Sequence, residues 1–123
     1  MRRHLLVTSA CALALMGLAD PCWSQTKNYG PGVTDTEVKI GQTMPYSGPA
    51  SSFAAIGRAT EAYFKKVNAN GGVNGRKITL ISLDDAYSPP KAVEQTRKLV
   101  ESEEVLAIMG TFGSPQTSPF RNI

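Results

Sequence analysis

At 123 residues the chain has room for one small domain at most. It carries 13 basic and 10 acidic side chains, and its His4, Cys11, Cys22 and Trp23 all fall within the first 24 residues. The stretch from Gln25 to Ile123 holds no His, Cys or Trp, which excludes Ser-His-Asp and Cys-His catalysis, thiolate or imidazole metal sites, haem ligation and an internal disulfide.

Residues Met1 to Gln25 read as an export signal. Arg2 and Arg3 form a positive start, Leu5 to Ala19 is an uncharged, mostly apolar run of 15 residues, and Asp20-Pro21 breaks it. That run is shorter than the roughly 20 apolar residues a membrane-spanning helix needs, so cleavage is expected rather than anchorage. Small residues at −3 and −1 allow cleavage after Ser24 (Cys22 and Ser24) or after Ala19 (Gly17 and Ala19), and we take the first. Neither cysteine follows the tripeptide that lipid attachment requires. The expected division is a signal peptide over residues 1–24, a flexible mature start over 25–34, and a folded segment over 35–123, in an extracytoplasmic location. A cysteine-free mature chain suits an oxidising compartment.

Without the leader, 11 basic and 9 acidic side chains remain, a net charge of +2. The basic pairs Lys65-Lys66, Arg76-Lys77 and Arg97-Lys98 have no interleaved aromatic residues and no groove-reading motif, so no nucleic-acid partner is expected.

The body alternates short β-rich runs with helical periodicity. Glu37 to Met44 reads as a strand, followed by the loop Pro45-Tyr-Ser-Gly-Pro49. From about Phe53 to Asn68, Ile56, Ala59, Tyr63 and Val67 recur at spacings of three and four, which predicts an amphipathic helix capped by Ser51 or Ser52 and ended by Asn68-Ala-Asn-Gly-Gly72. Lys77 to Leu83 is almost continuously hydrophobic and predicts a strand covered on both faces. Ser88-Pro-Pro90 opens a second helix to about Ser102, with Val93, Thr96 and Val100 on one face and Ala92 and Leu99 beside it. A third strand is expected over Val105 to Met109, then a polar loop and the first turn of another helix at Pro119-Phe120.

This β-α-β-α-β order predicts a doubly wound α/β fold with a parallel, Rossmann-like sheet. Ligands of such sheets sit beyond the carboxyl ends of the strands, where strand order reverses. Three loops therefore become candidates: Pro45 to Ser52, Asp84 to Pro89, and Thr111 to Ser118, with the first and third strands flanking the crevice. In the third loop, Ser114, Thr117 and Ser118 supply hydroxyls, and the helix start behind them would aim free N–H groups at a carboxylate. The same residues equally suit a helix cap without any ligand. Asp84-Asp85 could serve acid/base or magnesium chemistry, but no phosphate-binding glycine motif accompanies them, and turn and capping roles fit them better. On periodicity alone, Phe53 and Phe64 read as core.

The run Val38-Lys-Ile-Gly-Gln-Thr-Met-Pro-Tyr-Ser-Gly-Pro-Ala, then Asn70-Gly-Gly-Val-Asn-Gly-Arg-Lys-Ile, then Asp84-Asp85 with Pro89 and Ala92, resembles the start of the periplasmic leucine/isoleucine/valine-binding protein family, receptors of ABC importers. The likeness runs from about Val33 to the last residue. It implies a two-lobed clamshell that closes on a small ligand and presents itself to a membrane permease, with no catalysis and no cofactor. In members that bind amino acids, the loop after the third strand holds the ligand carboxylate. Carried over, the ligand-binding residues are Ser114, Gln116 and Thr117, with Pro115 interrupting the family's Ser/Thr run and lacking an N–H to donate. Phe53 matches a tyrosine that some relatives place over the ligand's side chain; it keeps the ring and loses the hydroxyl. The ligand so implied is an amino acid or a related carboxylate or amide.

Family members are about three times longer, so residues 35–123 are expected to form an incomplete first lobe, unable to bind well alone. Two other readings share the residues: a piece of an extracytoplasmic sensor domain of the same fold, or a small flavodoxin-like or phosphate-handling enzyme using Asp84 and Asp85.

Overall fold

The computed structural model describes residues 27–114. The leader, both cleavage positions, Gln116 and Thr117 lie outside the described residues. Strand β1 (Glu37–Met44) pairs in parallel with β2 (Lys77–Asp84) along its whole length, Glu37 opposite Lys77 through to Met44 opposite Asp84. On its other side β1 pairs with β3 (Ala107–Ile108), Ile40 opposite Ala107 and Gly41 opposite Ile108, giving the order β2-β1-β3. Helix α1 (Ala54–Ala69), entered through a 3-10 turn at Ser51–Phe53, links β1 to β2, and α2 (Pro89–Glu101) links β2 to β3. The expected α/β fold with a parallel sheet is present, and strand order reverses between β1 and β3.

Alternation along β1 sends its side chains to the two helices. A Cβ on Gly41 would lie 3.1 Å from Leu99 Cδ1 and from Val105 Cγ2, so the missing side chain is what lets α2 seat its core residues on the sheet. On the opposite face, Met44 and Tyr46 meet α1 at Gly57, where an added Cβ would stand 2.4 Å from the Tyr46 hydroxyl. The C-terminal half of β1, from Gly41 to Met44, is buried throughout. Met44, Ala54, Ala92 and Leu99, all at most 1% exposed, mark the core on its two sides.

Four expectations need correction. The strand covered on both faces is β1; β2 stays half-buried because it lies at a sheet edge among the described residues. Of the expected stripe on α1, Val67 is half-buried, as is Phe64, but Ile56 and Tyr63 are 46% and 63% exposed, and the fully buried contacts are made by Ala54 and Gly57, whose small size allows close approach to the sheet. The buried face of α2 is likewise Ala92, Thr96 and Leu99, with Val100 48% exposed. Neither Ser51 nor Ser52 caps α1: both lie inside the 3-10 turn, and the cap position falls on Phe53, which has no side-chain cap bond. The proline-led start of α2 at Pro89, after Ser88, is as expected.

The edge of β2 is closed by a side chain. Asn68, in the last turn of α1, donates through Nδ2 to the Ile78 carbonyl at 2.7 Å and accepts the Ile78 N–H on Oδ1 at 2.8 Å. One amide thus imitates the next strand and satisfies two backbone groups that the edge would otherwise leave unpaired. The lead-in to β1 is fastened too. Val33 bridges Val38, and Tyr29 donates to Asp35 at 2.6 Å while accepting from Arg76 Nη2 at 2.9 Å.

Replacing Asn68 with Ala removes both bonds to Ile78 and is expected to destabilise the fold by about 1–3 kcal/mol. Urea unfolding followed by circular dichroism measures this, and a loss indistinguishable from zero would show that Ile78 is satisfied by solvent instead.

Candidate ligand-binding site

The carboxyl ends of the three strands open into loops that touch one another. Asp84, the last residue of β2, accepts from the Ser47 N–H at 3.1 Å and from Ser47 Oγ at 2.6 Å, joining the first loop to the second. The same carboxylate accepts from the Ala86 N–H at 3.0 Å and from Lys91 Nζ at 3.2 Å. Its neighbour Asp85, fully buried, accepts from the Tyr87 N–H at 2.8 Å. Between these anchors Ala86 and Tyr87 hold φ values of +51° and +58°, a left-handed pair that costs energy for residues with a Cβ. The two carboxylates hold the loop in that shape. Gly48 fits against it: a Cβ there would sit 2.5 Å from the Ala86 carbonyl oxygen.

These loops bring three aromatic rings together above the crevice. Phe53 stacks on Phe112 with centroids 4.5 Å apart and planes inclined by 26°, and Tyr87 tilts toward the same Phe112 ring at 6.1 Å. Tyr87 and Phe112 come from the second and third loops, and Phe53 from the 3-10 turn that ends the first. Phe53 keeps 47% of its surface exposed, so the stack presents an open apolar face rather than closed core. A part-buried polar group joins β1, β2 and the start of the third loop. Gln42, 1% exposed, donates to the Gly110 carbonyl at 3.4 Å and accepts from Ser82 Oγ at 3.2 Å, and the Ser82 and Tyr46 hydroxyls share a 2.6 Å bond. Gly110 has φ +64°, and an added Cβ would stand 2.8 Å from Gln42 Nε2. The third loop therefore leaves the sheet with its first glycine held against β1.

Of the residues singled out in the sequence, Phe53 stands at this crevice and Ser114 stands exposed two residues beyond Phe112. Gln116 and Thr117 are not described. Phe112 and Tyr87 were not anticipated. Phe112 lay in view within Gly110-Thr-Phe-Gly113, but only the backbone path of the loop turns its ring onto Phe53. Tyr87 depends on a left-handed conformation that no residue preference announces. Asp84 and Asp85 both serve the loop backbone, as turn residues do. No cluster of three or more His, Cys, Asp or Glu side chains suited to a metal ion occurs among the described residues.

A parallel sheet whose order reverses at a crevice walled by aromatic rings defines an α/β lobe with a candidate ligand-binding edge. A sequence model of the periplasmic binding protein family matches residues 37–123, and the chain belongs to that family of non-enzymatic binding proteins. It is 31% identical over 115 residues to Leu/Ile/Val-binding protein homolog 7 of Brucella suis, covering 93% of this chain and 25% of that protein. Among solved structures it resembles a fatty acid ABC transporter substrate-binding protein from Thermomonospora curvata, with a TM-score of 0.68 and 36% identity over 77% of this chain and 24% of that one. It also resembles a branched-chain amino acid transporter substrate-binding protein from Streptococcus pneumoniae in complex with isoleucine, with a TM-score of 0.64 and 26% identity over 67% of this chain and 24% of that one. The chain spans about a quarter of the length of the relatives it matches.

Burial pushes the Asp84 carboxyl upward, but the bonds from Ser47 Oγ, the Ala86 and Ser47 N–H groups and Lys91 outweigh it and hold the group well below the usual carboxylate range. A depressed folded value means that the contribution is complete above the unfolded value near ~3.9 and drains away as pH falls toward the folded one. Acid titration of stability is therefore expected to fall more steeply below about pH 4 in the native sequence than in Asp84→Asn, which should also be less stable at neutral pH by about 1–2 kcal/mol. Parallel acid limbs for the two proteins would remove Asp84 from this role.

Proposed function

We propose that the chain is the opening part of the solute-binding component of an ABC importer for a branched-chain amino acid or a related small carboxylate or amide. The observation that carries this is the stacked Phe53-Phe112 pair at the crevice, beside the loop that leads to Ser114, in a chain of this family. The rings give the ligand's apolar part a surface on which to leave water, worth roughly 25 cal/mol for each Å² buried. Ser114, Gln116 and Thr117 take the carboxylate through their hydroxyl and amide donors. With a neutral ring wall and a polar donor loop, the lobe selects for a molecule that is acidic at one end and apolar at the other.

The name of the Streptococcus pneumoniae relative, with isoleucine bound, supports a branched aliphatic ligand, and that of the Thermomonospora curvata relative supports a longer acyl chain. Both ligands have the same two-ended chemistry. Residues 1–24 serve as the export signal, removed after Ser24, and residues 25–34 lead into the lobe. The mature protein works in the periplasm, and its closed form is presented to a membrane permease. This segment supplies only one side of the clamshell, so the 123-residue chain by itself binds far more weakly than the protein that carries it.

Titration calorimetry on the full-length protein tests the reading, with leucine, isoleucine, valine, a fatty acid and acetate as ligands. An apolar carboxylate is expected to bind and acetate is not. Phe53→Ala is expected to weaken the apolar ligand by about 10-fold or more, the worth of a buried aromatic contact. A full-length protein that ignores every apolar carboxylate, or a Phe53→Ala variant with unchanged affinity, would overturn it.

A further inference from the structure

The segment between α1 and β2 contains two Asn-Gly pairs, Asn70-Gly71 and Asn74-Gly75, and the fold treats them differently. Asparagine followed by glycine is thermolabile because the glycine N–H meets no side-chain crowding on its way to the asparagine amide carbon. In the first pair that N–H is occupied: Gly71 donates to the Asn68 carbonyl at 3.2 Å as the chain leaves α1, and Gly72 donates to Val67 at 3.0 Å directly after it. In the second pair it is free. Asn74 and Gly75, with φ +51° and +77°, are the two central residues of a tight hairpin turn closed by Val73 N–H to the Arg76 carbonyl at 2.8 Å and Arg76 N–H to the Val73 carbonyl at 3.0 Å. Among the described residues, neither the Gly75 N–H nor the Asn74 side chain has a hydrogen-bond partner. Both residues are exposed, and a Cβ on Gly75 would meet nothing within 4 Å.

We propose that Asn74 is a site of spontaneous conversion to isoaspartate and aspartate, and that Asn70, four residues earlier, is protected. The Gly75 amide nitrogen attacks the Asn74 side-chain carbonyl carbon and forms the ring bond. The bond from that carbon to Nδ2 breaks, and ammonia leaves with the proton that Gly75 gave up. Water then opens the cyclic imide at one of its two carbonyls. One opening yields aspartate, and the other yields isoaspartate with the chain routed through the side-chain methylene. Water is the only co-reactant. The turn must first leave its left-handed shape for the nitrogen to reach the carbon, and little resists this: two backbone bonds close it, and Val73 is already 50% exposed. The isoaspartate product lengthens the backbone inside a two-residue turn and sets a carboxylate near Arg76, whose guanidinium lies 5.0 Å from the Tyr29 ring centroid. The Val73-Arg76 pairing and the fastening of the lead-in are what it disturbs.

Peptide mapping by mass spectrometry tests this on the full-length protein held at mildly alkaline pH, natively folded and in urea, with Asn70 and Asn74 followed over time. In the folded protein Asn74 is expected to convert about tenfold faster than Asn70 or more, because the Gly71 bond must open before Asn70 reacts. In urea the two rates are expected to agree within about twofold, since the local chemistry is the same once the fold is gone. Equal or reversed rates in the folded protein, no conversion of Asn74, or an Asn74 preference of the same size in urea would each overturn the proposal.

Discussion

Every ladder bond of the sheet passes through one strand. Among the described residues β1 pairs with β2 along eight residues on one side and with β3 on the other, and β2 and β3 do not pair with each other. Because both pairings are parallel, each connection has to return across the sheet, and two right-handed crossovers leaving in opposite directions place α1 and α2 on opposite faces. β1 is therefore the strand that must be buried on both sides, and its sequence is fitted to this. Gly41 leaves room for Leu99 and Val105 on one face, while Met44 reaches Gly57 on the other. The same parallel pairing points all three carboxyl ends one way, so the three loops have to meet.

Where they meet, charge holds the shape and rings form the surface. Asp84 ties the first loop to the second through Ser47, and with Asp85 it stabilises two consecutive left-handed residues that would otherwise be costly. The third loop is held from below by Gln42, a polar residue buried because Gly110 and Ser82 complete its hydrogen bonds. Asp84 and the Oδ1 of Asp85 are engaged in building the crevice, while Asp85 Oδ2 is buried without a partner, and the open side falls to Phe53 and Phe112. The open face so formed is apolar, with Asp84 beside it held by Ser47, Ala86 and Lys91.

Much of the fold was legible in the sequence, and the reasons differ from element to element. β1 could be read to its last residue because Asp35 before it and Pro45 after it punctuate the chain, and Pro89 fixed the start of α2 in the same way. Helix faces were harder. Periodicity finds the largest apolar stripe, whereas α1 seats its smallest residues, Ala54 and Gly57, where the sheet comes closest, and leaves Ile56 and Tyr63 outside. The double-faced burial of β1 rather than β2 follows from position in the sheet, which hydrophobicity does not encode. At the crevice, Phe53 was reachable through family resemblance. Tyr87 and Phe112 were not, since their approach depends on the backbone path of two separate loops. Asn68 was read as part of a helix terminus, which it is, but its bonds to Ile78 require the actual distance between α1 and β2.

The uncovered apolar groups bear on how such a lobe can work. Phe53 at the crevice, Leu106 and Met109 beside β3, and Ile56 and Tyr63 on α1 are each at least 42% exposed among the described residues. A small-molecule site usually buries most of its ligand's surface, about 70–90% of it, and a single wall of rings with one donor loop cannot enclose a molecule to that degree. The apolar end of the ligand would remain half in water, and its carboxylate bonds would compete with solvent at nearly full dielectric. A second wall changes both terms at once, because water leaves the ring face and the polar contacts move into a medium where they are worth more. On the function proposed above, affinity therefore belongs to closure. On the same reading, the segment contributes one half of the site, with its loops held by Asp84, Asp85 and Gln42, so that little ordering remains to be done when the other half arrives.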